Sequence, residues 1–267
     1  GGMAFLPWWL DQVRRHDERA GLRTLDVLDV LDVHYYPQGG EYYPGGRDPA
    51  TNRRRLLSTR SLWGPTYVDQ SWIACTADDA GSAGVVRLIP RLRDWIARHY
   101  PGTMLAISEW NWGEDATPNG ALAVAEVLGV FGREGVDLAA YWTAPQEGSP
   151  GALAFQAYRN YDGRGGVFGD TALAATVGDR DSLSAFASLD SASGDVVAVL
   201  LHKHESEATR VTVRVARFPP DAAVAAFQYA PRGTTELAPL APMRLRDGLL
   251  SMALPPTSIT VLLAKGA

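Results

Sequence analysis

Three short stretches place acid, imidazole, amide and aromatic side chains where apolar chain runs out. They are LDVHYYP, with Asp32, His34, Tyr35 and Tyr36; ISEWNWG, with Glu109, Trp110, Asn111 and Trp112; and LAAYWT, with Tyr141, Trp142 and Thr143. Trp and Tyr rings stack on the C–H faces of sugars, while His, Asn and carboxylates take the hydroxyls. Any one aromatic strand end could equally be a core plug. Three of them in one chain point to a carbohydrate cleft with a carboxylate, Glu109, in it. A catalytic carboxylate usually needs a partner, so the elements around it have to be placed.

Helical spacing of Leu6, Trp9, Leu10 and Val13, stopped by Gly21, predicts an amphipathic helix, and a strand follows at about Leu28 to His34. Residues 37–83 read as a long connection rich in Gly, Pro, Arg and aromatics, whose Trp63, Tyr67 and Trp72 argue for function. The triplet Arg53, Arg54 and Arg55 reads as a solvated loop. Val85, Leu88, Leu92, Trp95 and Ile96 predict a second helix, with Pro90 in its first turn or at a kink. The segment GALAVAEVLGVFGREG predicts a third, ahead of the strand VDLAAYW. Apolar strands alternating with helices indicate a parallel sheet covered on both faces, in a barrel or a doubly wound sheet. In a barrel the carboxyl ends of the strands open into one mouth, which would gather the three loaded stretches. No glycine-rich phosphate loop follows a strand. From about Asp181 short runs such as DVVAVLLH, TRVTVRVA and TSITVLLA alternate with turn residues, the pattern of an antiparallel sandwich. The expected division is residues 1–180 and 181–267.

Composition narrows the partners. A net charge of -5 over 267 residues, with no basic run longer than three, leaves no footprint for nucleic acid. No apolar run nears the roughly 20 residues of a membrane span. Cys75 is the single cysteine, which excludes an internal disulfide and a thiolate metal cluster. The stretch GGMAFLPWWLDQ lacks the basic region and small-residue cleavage site of a signal peptide.

The run ISEWNWG, with LDVLDVHYYP and RSLWGPTYVDQSW ahead of it and GVFGREGVDLAAYW and YRNYDGRGGVFGDT behind, resembles glycoside hydrolase family 44, the endoglucanase and xyloglucanase family. The resemblance covers nearly all of residues 5–180. It implies an α/β fold: about strands 6 to 8 of a (β/α)8 barrel, followed by an antiparallel β-sandwich domain. It implies retaining cleavage of internal β-1,4 links, with Glu109 at the position of the nucleophile. His34, Tyr36, Trp63, Trp110, Asn111, Trp112, Tyr141 and Trp142 would contact substrate. The family often has Tyr where this chain has Trp110. The complete protein would be secreted, and its partner would be a β-1,4-linked polysaccharide or oligosaccharide. No cofactor is expected of this chain. Family members bind calcium, but no ligand set for it is recognisable here and no metal residue is assigned.

Retaining hydrolysis needs a nucleophile and a separate acid/base, roughly 5–5.5 Å apart. In the family the acid/base glutamate follows an asparagine, and no Asn-Glu dipeptide occurs in these 267 residues. The expectation is therefore a C-terminal part of a longer enzyme, whose N-terminal barrel portion carries the partner of Glu109. Local substitutes are Glu41, Glu114, Asp115 and Glu147, in loops after strands, and Asp32, which with Asp26 and Asp29 belongs to the LDV repeat. Asp32 fits better as a structural group bonding neighbouring backbone or His. Two other readings stay open: a non-catalytic carbohydrate-binding fragment, and another barrel-plus-sandwich retaining glycosidase such as a family 51 arabinofuranosidase.

Overall fold

The computed structural model describes residues 4–22, 27–75, 82–231 and 235–266; Asp26 lies outside them. Among the described residues, α1 (Phe5–Ala20), β1 (Val30–Tyr35), α2 (Pro49–Ser58), α3 (Leu88–His99), β2 (Met104–Trp110), α4 (Pro118–Glu134), β3 (Leu138–Tyr141) and α5 (Pro150–Arg159) come first. The strands β4 (Thr171–Leu173), β5 (Leu183–Leu189), β6 (Val196–His202), β7 (Thr209–Arg214), β8 (Ala223–Tyr229), β9 (Ala238–Pro239), β10 (Met243–Arg244), β11 (Leu249–Leu254) and β12 (Ser258–Ala264) follow. The chain forms two compact units. One takes Gly1–Tyr42, Leu57–Trp112 and Glu134–Ala144, and the other Tyr43–Leu56, Gly113–Arg133 and Pro145–Ala267.

The first unit is built on a parallel sheet in the order β1-β2-β3. Helix α1 ends where the periodicity stops: Gly21 takes φ 68°, open to glycine at no steric cost, and its N–H closes on the carbonyls of Asp17 and Glu18. Helix α1 packs against α3, and the Tyr100 hydroxyl donates to the buried carboxylate of Asp17. Pro90 falls in the first turn of α3, where its missing N–H costs nothing. The sheet is covered unevenly. Leu105 and Ile107 are fully buried, while Leu138 is 57% exposed, Met104 48% exposed, and Asp32 and His34 lie open. Asp32 and His34, two residues apart on β1, share one side of the sheet.

In the second unit, strands in the order β10-β8-β12-β6-β5-β4, with β9 on β8, make one antiparallel sheet, and β11 with β7 makes another. Leu200, Val224 and Leu262 of the larger sheet share a core with Leu250, Met252 and Leu254 of the smaller. Val211 and Val213 of β7 pack on that core while Arg210, Thr212 and Arg214 stay outside, the period-two pattern of a sandwich. Helix α4 is nearly all apolar and lies so close to β5 that a Cβ added at Gly129 would meet the Phe186 ring at 2.3 Å.

Two sequence expectations change here. The connection 37–83 holds helix α2 and a 3-10 turn at Thr59–Leu62. The arginine triplet lies within α2, and Arg55 is completely buried, not solvated. Its guanidinium donates to Asn52 Oδ1 (3.0 Å), Asn119 Oδ1 (2.8 Å) and the Gly46 carbonyl (2.7 Å), which is how a buried cation is accommodated.

Candidate active site

Glu109 owes its place to an irregular register. Val33 pairs with Ile107, but the next residue, His34, pairs with Glu109, so Ser108 is an extra residue on β2. By simple alternation Glu109 would follow Leu105 and Ile107 onto the buried face. The bulge turns it instead to the open face beside His34, the kind of re-aiming that bulges provide.

There, Glu109 Oε2 accepts from the Tyr36 hydroxyl at 3.0 Å and lies 3.3 Å from His34 Nδ1. Among the described residues nothing hydrogen-bonds Oε1. The Glu109 side chain is 32% exposed. The Tyr36 phenol is pushed up to about 12, first by burial and then by its bond to the Glu109 carboxylate, so it remains a donor at any ordinary pH. Gln38 bonds the Tyr36 carbonyl through its amide nitrogen (3.2 Å), and its amide oxygen accepts from the indole of the exposed Trp72 at 3.4 Å. The Tyr42 ring meets Tyr36 edge-on at 5.1 Å. Gln38 and Tyr42 had no sequence signal beyond their place in an aromatic loop.

The other expected contacts divide. Asn111 donates its amide to the Trp142 carbonyl, and Trp142 N–H donates to the Trp110 carbonyl at 3.1 Å, which ties the ends of β2 and β3 together. The Trp142 ring is 53% exposed and free to stack. Trp63, half-buried, closes the 3-10 turn with its N–H on the Arg60 carbonyl. Trp110 and Trp112 correct the expectation. They are 1% and 0% exposed, so neither offers a face to a sugar. Trp110 packs edge-on against Tyr141 at 4.7 Å; Trp112 stacks on Tyr35 and donates to Ser58 Oγ at 3.0 Å. Trp110 ends β2 and Trp112 lies two residues beyond it, and both rings are used for packing.

The local candidates for a second catalytic carboxyl differ in their surroundings. Glu41 is 2% exposed. Asp32 is occupied with Ser108, accepting from its N–H at 3.0 Å and from its hydroxyl, and Asp29, just ahead of β1, accepts the Met104 N–H on its backbone carbonyl. In the second unit, burial works to raise the Glu114 carboxyl. The Gly45 N–H (2.7 Å) and the Arg47 guanidinium outweigh it and hold the group ionised, the opposite of what a general acid requires. Asp115 gives its carbonyl to Gly151 N–H, and Glu147 lies exposed.

Among the described residues no group of three or more His, Cys, Asp or Glu side chains gathers as a metal ion would need. No helix among them is long and apolar enough to cross a membrane.

Residues 1–39 match the profile of glycoside hydrolase family 44. The chain is 34% identical over 217 residues to Endoglucanase A of Paenibacillus lautus, a match spanning 79% of this chain and 30% of that protein. Its backbone superposes on CelM2, a bifunctional glucanase-xylanase from a metagenome library, with a TM-score of 0.91 and 40% identity, covering 100% of this chain and 49% of the other. The family 44 xyloglucanase of Paenibacillus polymyxa, solved with xyloglucan, follows with a TM-score of 0.85, 27% identity, and coverage of 98% and 51%. The chain thus spans about half the length of these solved structures and under a third of that curated relative. The parallel strands are part of a (β/α)8 barrel, and the antiparallel sheets are the β-sandwich that follows it.

Proposed function

Because the chain is a homologue of the family 44 glycoside hydrolases, we propose that Glu109 is the nucleophile of a retaining, endo-β-1,4-glucanase-type hydrolase acting on cellulose- or xyloglucan-like chains. One observation carries the reading: Oε2 of Glu109 is clamped by Tyr36 and faces His34, while among the described residues Oε1 takes no hydrogen bond. A carboxylate so held is oriented for attack on an anomeric carbon without losing the oxygen that attacks. The Tyr36 hydroxyl and the His34 imidazole fix its orientation from one side, and Trp142 supplies a ring for the sugar to stack on.

In the first step Oε1 forms an ester bond to the anomeric carbon as the glycosidic bond breaks, and the leaving oxygen takes a proton from the acid/base. In the second step that group removes a proton from water, which cleaves the ester with net retention. The family resemblance puts the acid/base on an Asn-Glu pair, which this sequence does not contain. That role falls to chain beyond these 267 residues, in a protein exported to reach its polymer. The test is Glu109→Gln in that longer protein, assayed for new reducing ends on xyloglucan and carboxymethyl-cellulose. Turnover should fall by several orders of magnitude with circular dichroism unchanged. Near-normal turnover would sink the assignment.

A further inference from the structure

The bulge that aims Glu109 leaves a debt in the ladder, and one side chain settles it. Val33 pairs with Ile107 and His34 with Glu109, so the amide of Ser108 has no place in the β1–β2 pairing. An unmade bond at such a residue lets the strand relax toward regular alternation, which would return Glu109 to the face of Ile107. Asp32, on β1 opposite Ala106, accepts that amide on Oδ1 at 3.0 Å and the Ser108 hydroxyl on Oδ2. A carboxylate can accept on both oxygens at once; Asn can accept on one only.

We infer that Asp32 is a positioning residue for the reaction proposed above: it fixes the Ser108 bulge and thereby the aim of Glu109 at the anomeric carbon, without touching substrate. The inference rests on Glu109 being the nucleophile.

A reagent that needs no acid catalyst separates the two claims. A fluorinated cellobioside with a dinitrophenyl leaving group reacts by one step. Glu109 Oε1 forms the ester bond, the bond from the anomeric carbon to the aryl oxygen breaks, and its electron pair departs as dinitrophenolate with no proton required. The longer protein proposed above is incubated with this reagent, the adduct is mapped by mass spectrometry, and the limiting rate and half-saturating concentration are measured.

Asp32→Ala should lower the limiting rate roughly ten- to a hundredfold, the scale expected when a reacting group is displaced by about an ångström, with half-saturation little changed. Asp32→Asn, which keeps one acceptor for the Ser108 amide, should recover part of the loss, and Ser108→Ala should lose least. Labelling of Asp32→Ala at the unaltered rate would overturn the inference. So would equal losses in the Asn and Ala variants accompanied by weaker saturation, which would mark a merely structural role. If Asp32→Ala does not fold, Asp32→Asn decides: a loss confined to the limiting rate supports the inference, and no loss overturns it. Failure of the unaltered chain to label at Glu109 would instead retire the nucleophile reading, and this inference with it.

Discussion

Two glutamates, one in each compact unit, sit in opposite circumstances. Glu126 on α4 is 5% exposed at its side chain, with Lys203 Nζ at 2.9 Å and the Ser184 hydroxyl at 2.9 Å on its two oxygens. Glu109 is 32% exposed and, among the described residues, takes its partners on one oxygen. A structural carboxylate uses both oxygens on fixed neighbours in a dry interior. One available for chemistry is held from one side only, at an accessible face. The same residue type does different work because of where the strand or helix delivers it.

The largest effect on that contrast should come from opening the closed pair. Lys203→Ala leaves the Glu126 charge buried without its cation and should lower the unfolding free energy of the second unit by about 3–5 kcal/mol, measured by urea unfolding. Replacing both partners with apolar residues, Glu126→Leu with Lys203→Met, should cost far less. Equal losses in the single and double variants would erase the distinction drawn here.

Trp142→Ala probes the open side. Removing its half-exposed ring should weaken oligosaccharide binding by about 1 kcal/mol or more, read by calorimetry, while leaving the unfolding transition in place. Unchanged affinity would return Trp142 to a packing role.

A smaller effect follows from Tyr36, whose phenol is raised from 10.0 to about 12 by burial and then by Glu109. The folded state favours the neutral phenol. Its contribution is therefore full below about pH 10, where the unfolded phenol begins to ionise, and is lost as pH rises toward about 12. Stepped urea titrations should show the unaltered protein losing more stability across that window than Tyr36→Phe. Parallel curves would mean that the bond to Glu109 does not couple to the fold.

Much of this was legible in the sequence. The helix stop at Gly21, the apolar strand leading into Glu109, and the alternation of Val211 and Val213 each follow from local pattern, and each appears in the structure. What was hidden depends on neighbours distant in sequence. Alternation cannot show that Ser108 is an extra residue, because a bulge is defined by the partner strand. Nor could it tell which of Trp110, Trp112 and Trp142 faces outward, since that depends on Tyr35, Ser58 and Tyr141. The burial of Arg55 was missed for the same reason: its partners Gly46 and Asn119 are not visible in the triplet of arginines.

The most direct test of Glu109 as a nucleophile is chemical rescue in the longer protein proposed above. In Glu109→Ala, sodium azide can enter the space left by the carboxylate and attack an aryl cellobioside from the same face. The account predicts that azide restores turnover and that the product, identified by nuclear magnetic resonance, is the α-glycosyl azide. Absence of rescue in a folded variant, or a β-glycosyl azide as product, would contradict it.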